Sequence, residues 1–177
     1  MRTQRVIVTG GATNIGKAIA EAFLARGAQV VVGQPDPSVA APLLERYGAR
    51  VSALRVDVGD PVQCREFVES AARQMGGVDV LINNAAVVGA QAFSSLSTLD
   101  AAQFDRIMHV NVGGVVFCSQ AVLPFLKSAG GGVIVHISSI NAFRPQRGAM
   151  IYAAAKAAVS SLAQSMGKEL AADGIRV

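Results

Sequence analysis

Tyr152 and Lys156 stand four residues apart in YAAAK (152–156), with nothing larger than alanine between them. Positions at this spacing share one face of a helix, so an ammonium can sit beside a phenol. A free phenol titrates near 10, and a nearby cation favours its ionised form. The pairing therefore suits Tyr152 to exchanging protons at neutral pH, and the alanines let the helix press close to whatever lies against it. Ser139 precedes Tyr152 by thirteen residues. Its hydroxyl can donate to a substrate oxygen on which charge develops; Ser138, its neighbour, is the alternative hydroxyl. Together these residues can move a proton on and off a substrate oxygen.

A second constellation is VIVTGGATNIGKAIAEAFLARG (6–27), which runs strand, glycine turn, helix. Gly10 allows the tight turn and Gly16 a close approach of backbone to a phosphate. The free N–H groups and dipole at the helix start favour an anion. Lys17 is followed by Ala18 and not by a hydroxyl residue. The motif is thus not a mononucleotide P-loop, and a dinucleotide is the expected ligand.

Elements that could hold these groups follow from hydrophobic patterning. Strands are predicted at 5–9, 29–33, 50–56, 78–83 and 132–138, several as near-continuous apolar runs, which marks strands buried on both faces of a parallel sheet. Helices are predicted at 15–26, 38–47, 61–75, 101–127 and 149–172. Asp60-Pro61 makes a good helix start and Gly174 a good stop. The alternation gives a doubly wound α/β fold, a parallel sheet with helices on both faces, in a single dinucleotide-binding domain spanning 1–177. GIRV (174–177) reads as the opening of a sixth strand.

Composition narrows the partners. Lys and Arg are scattered and no basic stretch alternates with aromatics, so nucleic acid is not an expected partner. No run of about eighteen apolar residues is seen, so no membrane span is expected. Cys64 and Cys118 fit no metal spacing and read as buried free thiols, which suits a reducing cytoplasm. His109 and His136 lack ligand spacing and read as structural, so no metal site is expected.

TGGATNIG (9–16), DV (57–58), NNAA (83–86), NV (111–112), ISS (137–139) and YAAAK (152–156) stand in the order seen in short-chain dehydrogenases/reductases. In this the chain resembles the short, single-domain branch of that family. The resemblance implies a Rossmann-type fold and a nicotinamide cofactor across the carboxyl ends of the strands. Gly10, Thr13, Asn14, Ile15, Gly16, Gln34, Asp57, Val58, Asn84, Ala85 and Ala86, with Tyr152 and Lys156, would bind it. Asn83 would brace the sheet and contact the adenosine side. Asn111, Ser139, Tyr152 and Lys156 would form the catalytic set, with Asn111 holding a water that relays protons.

Asn14 stands where the family usually has a glycine, and Asn tolerates a left-handed backbone better than other residues with a side chain. Ala86 replaces another usual glycine. Similar proteins continue with further C-terminal strands, so the chain is expected to be incomplete at that end. Gln34 takes the place of the family's acid and Pro35 that of its Arg, which favours NAD over NADP. The implied reaction is hydride transfer between the nicotinamide and an alcohol or carbonyl carbon of a small molecule. The alternative is a catalytically silent nucleotide-binding protein of the same fold. Similar proteins pair through their long helices, so a homodimer or homotetramer is expected. Val87 and Val88 add apolar wall; Arg144 and Arg147 read as solvated.

Overall fold

The computed structural model describes residues 3–177. The valine- and isoleucine-rich runs become β1 (Arg5–Thr9), β2 (Gln29–Gln34), β3 (Val51–Arg55), β4 (Val80–Asn83), β5 (Gly132–His136) and β6 (Ile175–Arg176). They form one parallel six-stranded sheet in the order β3-β2-β1-β4-β5-β6. The chain winds outward from β1 through β2 to β3, then returns to lay β4 on the other side of β1. The strand order reverses there, and a crevice opens at the carboxyl ends of β1 and β4.

Alternate side chains cover opposite faces, as the period of a strand requires. On one face Val6, Val8, Val30, Val32 and Val80 pack with Ala20 and Leu24 of α1 (Asn14–Ala25) and Leu43 of α2 (Ala41–Tyr47). On the other, Ile7, Val31, Leu81 and Ile134 meet Phe67, Val68 and Ala71 of α3 (Pro61–Met75). That layer is completed by Cys118, Val122 and Leu126 of α5 (Gly114–Ser128). Each large side chain so buried contributes roughly 1.5–3 kcal/mol, and the two layers hold the crevice from both sides.

Helix ends fall where local chemistry puts them. Asp60 caps α3, accepting from the Val62 and Gln63 amides at 2.8 and 3.2 Å, and Gly76 ends it with φ 70°. The long helix expected at 101–127 differs from its prediction. It is α4 (Ala101–Met108) and α5, joined by a π-helical segment at His109–Gly113 that contains Asn111. Residues 101–128 also match a membrane span by length and composition alone, a test that a buried core helix passes as well. Ile107, Val110, Val115, Cys118, Val122 and Leu126 of this unit are buried within the domain. α6 (Met150–Leu170) carries Tyr152 and Lys156 and packs Ala155 against Ile107 of α4.

Cys64 and Cys118 are free and buried, as expected. A hydrogen bond with Cys64, together with burial, raises the pKa of Cys118 and keeps it a thiol. Among the described residues no cluster of His, Cys, Asp or Glu is placed to hold a metal ion.

Candidate active site

The turn after β1 is assembled by hydrogen bonds from its neighbours. Gly10 has φ 63°, and its amide donates to the Gly33 carbonyl at 2.7 Å. Asn84 donates from its side chain to the carbonyls of Thr9 and Gly10, both at 3.0 Å. The Thr9 hydroxyl accepts from the amides of Asn84 and Ala85 at 3.0 and 3.1 Å. Gln34 reaches across from β2: with its carboxamide oriented so that oxygen faces the turn, it accepts from Ala12 and Gly11 at 2.7 and 3.3 Å. The turn is thus rigid before any ligand arrives.

Gly16 meets a constraint that the sequence did not reveal. A Cβ there would lie 2.1 Å from the Gly10 carbonyl oxygen and 2.5 Å from the Asn84 amide. Its smallness lets α1 abut the turn itself. Asn14 adopts φ 46°, the left-handed backbone expected of it. Thr13 makes no side-chain cap, so the first-turn amides of α1 have no partner from the cap.

This turn forms one end of a cleft of about 590 Å³. Every residue assigned above to the cofactor except Asn83 lines it, from Gly10 to Lys156, and so does Ser139. At the other end, Lys156 is 4% exposed and donates to the Ile137 carbonyl at 2.6 Å. Burial lowers its pKa to about 8. Its ammonium lies 5.9 Å from the centroid of the Tyr152 ring. The two serines separate cleanly. Ser138 donates to the Lys156 carbonyl at 3.0 Å and shares a 2.8 Å bond with Ser160, so its hydroxyl is held by α6. Ser139 accepts only from the Asn141 amide at 3.2 Å, which leaves its proton free to donate into the cleft.

Residues 4–177 match the family described as short chain dehydrogenase. The chain belongs to the short-chain dehydrogenase family.

This dehydrogenase is 36% identical over 174 residues to 2-(R)-hydroxypropyl-CoM dehydrogenase of Xanthobacter autotrophicus, covering 96% of the present chain and 70% of that protein. It is also 36% identical to cis-4-hydroxycyclohexanecarboxylate dehydrogenase of Sinomonas cyclohexanicum, over 97% of this chain and 69% of the relative. Its fold superposes on 3-ketoacyl-(acyl-carrier-protein) reductase from Brucella melitensis, solved in complex with NADH, with a TM-score of 0.93. That match has 30% identity and covers 98% of this chain and 73% of the other. The protein is accordingly an oxidoreductase of the short-chain class.

Three residues of the dehydrogenase stand where the sequence alone did not place them. Asn111 is 1% exposed and does not line the cleft. Its side chain accepts from the Val87 amide at 2.7 Å and donates to the Val87 carbonyl at 3.1 Å. Bonded from both ends, its carboxamide fixes the wall that follows β4. Asn83 braces the sheet but is turned away from the cleft, donating to Ser119 and sharing a bond with His136, both at 3.1 Å. Its neighbour Asn84 lines the cleft instead.

The third difference is Arg106, which sequence reasoning missed. From α4 it donates to Asp57 at 2.7 Å and stands in the cleft wall. Burial pushes the Asp57 carboxyl up, but Arg106 and the Gly59 amide outweigh it and hold it below the ordinary carboxylate range. The available signal was only the acid two residues past the end of β3. Arg144 and Arg147 are exposed and outside the cleft, as expected.

Proposed function

We propose that this dehydrogenase interconverts an alcohol and a carbonyl on a small molecule, using NAD and Tyr152 as general acid/base. The observation that carries the reading is that Ser139, Tyr152 and Lys156 share one cleft with the glycine turn. The residues fit a dinucleotide. Gly10 holds a left-handed turn in which a Cβ would lie 2.9 Å from Asn84, and the uncapped start of α1 offers amides and a positive dipole to a pyrophosphate. When bound there, the nicotinamide supplies the carbon that gives or takes hydride.

The chain's own residues would do the rest. Ser139 donates to the substrate oxygen and holds it within reach of Tyr152. Tyr152 delivers the proton in reduction and removes it in oxidation. Lys156, charged at neutral pH, stands beside the phenol and orients the adjoining ribose. Val87 and Val88, fixed through Asn111, shape the apolar wall. The shared cleft of Ser139, Tyr152 and Lys156 supports this reading over the silent-protein alternative.

Replacing Tyr152 by Phe tests the reading. Turnover on a panel of alcohols and ketones should fall by about 10²- to 10⁴-fold. Cofactor affinity should stay within about threefold. A variant that keeps its turnover would exclude Tyr152 as the acid/base.

Preference for NAD follows from the end of β2. Gln34 is committed to the glycine turn, and no Lys or Arg lies in 34–37. Asp36 caps a short turn through the Ser38 amide, and hydrogen bonds to Ser38 keep its carboxyl ionised. An added 2′-phosphate would meet that charge. Catalytic efficiency with NADH should exceed that with NADPH by roughly tenfold, equivalent to about 1.4 kcal/mol. Equal use of the two would overturn the preference. Assembly as a homodimer or homotetramer through α4, α5 and α6, a cytoplasmic location, and the absence of membrane and nucleic-acid partners belong to the same proposal.

A further inference from the structure

We propose that Phe93, which stands outside the cleft, is a positioning residue that fixes the ring of Tyr152; the inference rests on the acid/base reading above. Among the described residues the phenol oxygen of Tyr152 has no protein hydrogen-bond partner, so packing must set where that oxygen points. Two contacts do this. One is with the Lys156 ammonium, 5.9 Å from the ring centroid and within cation–π range. The second is with the Phe93 ring, 6.0 Å between centroids and inclined at 63°, an edge-to-face pair.

Phe93 can serve because the residues on both sides of it are anchored. Ala92 is 1% exposed, packs with Ile107 and Ala155, and donates its amide to the Gly89 carbonyl at 2.9 Å. Ser94 donates its amide to the Gly148 carbonyl at 2.9 Å. Gly148, with φ 80°, immediately precedes the fully buried Ala149, whose carbonyl receives the Ala153 amide at 2.7 Å as α6 begins. The connection from β4 to α4 is thereby tied to the turn that launches α6. Phe93 and Tyr152 keep a fixed relation although 59 residues separate them in sequence. A tilt of the phenol would carry its oxygen away from the substrate oxygen held by Ser139, and misplacements of about 1 Å are known to cost on the order of a hundredfold in rate.

The protein has two tyrosines and no tryptophan, so Tyr47→Phe leaves Tyr152 as the sole source of the tyrosine band in near-ultraviolet circular dichroism. In that background Phe93→Leu should weaken the band by half or more, while the far-ultraviolet spectrum is unchanged. The same substitution should lower kcat on the order of tenfold, with KM and the NADH dissociation constant within about twofold. Phe93→Trp, which restores a ring edge, should recover most of kcat. Phe93→Met carries the same test should the leucine variant not fold. A leucine or methionine variant that folds with both band and kcat intact overturns the proposal. So does a kcat loss matched by the tryptophan variant. Full activity in Tyr152→Phe would instead overturn the acid/base reading, and the dichroism band decides the positioning claim independently of it.

Discussion

Lys156 must remain cationic beside Tyr152, yet it is almost wholly buried and has one carbonyl partner, Ile137. Burial lowers its pKa from 10.5 to about 8. Between those values the unfolded chain binds the proton more readily than the folded one, so stability should rise with pH across that window. Below pH 8 the full penalty applies, about 3 kcal/mol at most. Urea unfolding from pH 7 to 10.5 should show this gain in the wild type. It should be absent in Lys156→Met, which should also lose turnover. His136 behaves in the same sense at lower pH. Burial first, and the Lys156 charge second, lower its pKa from 6.5 to about 4. From 6.5 down to 4 the unfolded chain takes the proton first, so the fold should lose at most about 3 kcal/mol across that window. His136→Asn should flatten that part of the acid unfolding curve, and an unaltered curve would refute the assignment.

At the scale of elements, the turn and α1 act as one piece because Gly16 admits contact with the Gly10 carbonyl. Gly16→Ala would force a methyl against backbone, which cannot yield cheaply. Thermal unfolding should show a loss of at least about 2 kcal/mol, accompanied by weaker NADH binding. Phe67 and Val56 press equally closely around Gly33 at the end of β2. The strands, the helices on both faces and the glycine turn were legible in sequence because buried parallel strands write themselves as apolar runs and turns as glycine. The π-helical segment was not, because one extra residue in a helical turn leaves the apolar pattern of HVNVGG unchanged. The grip of Gln34 on the turn and the arrival of Arg106 beside Asp57 depend on strand register and helix docking, which no local pattern records. Ser139, Tyr152 and Lys156 were legible as types and spacing, whereas the choice between the two serines needed the packing of α6.

In the whole molecule, the crevice is bounded by unlike walls. On one side Ile137 and Ser138 are riveted to α6 by three hydrogen bonds, to the Lys156 ammonium, the Lys156 carbonyl and Ser160. On the other, the stretch 88–99 between β4 and α4 carries largely exposed side chains, Val88 at 55% and Leu96 at 79% among them. Amide hydrogen exchange should therefore be slow in 156–160 and faster by about 10²-fold or more in 95–99, beyond the anchored Ser94 amide. Comparable protection of both segments would contradict this. The riveted wall is also the one that carries Ser139, Tyr152 and Lys156. Breathing of the mouth then falls to the opposite bank beyond Ser94, and the groups proposed for proton transfer keep their mutual spacing as guests enter and leave.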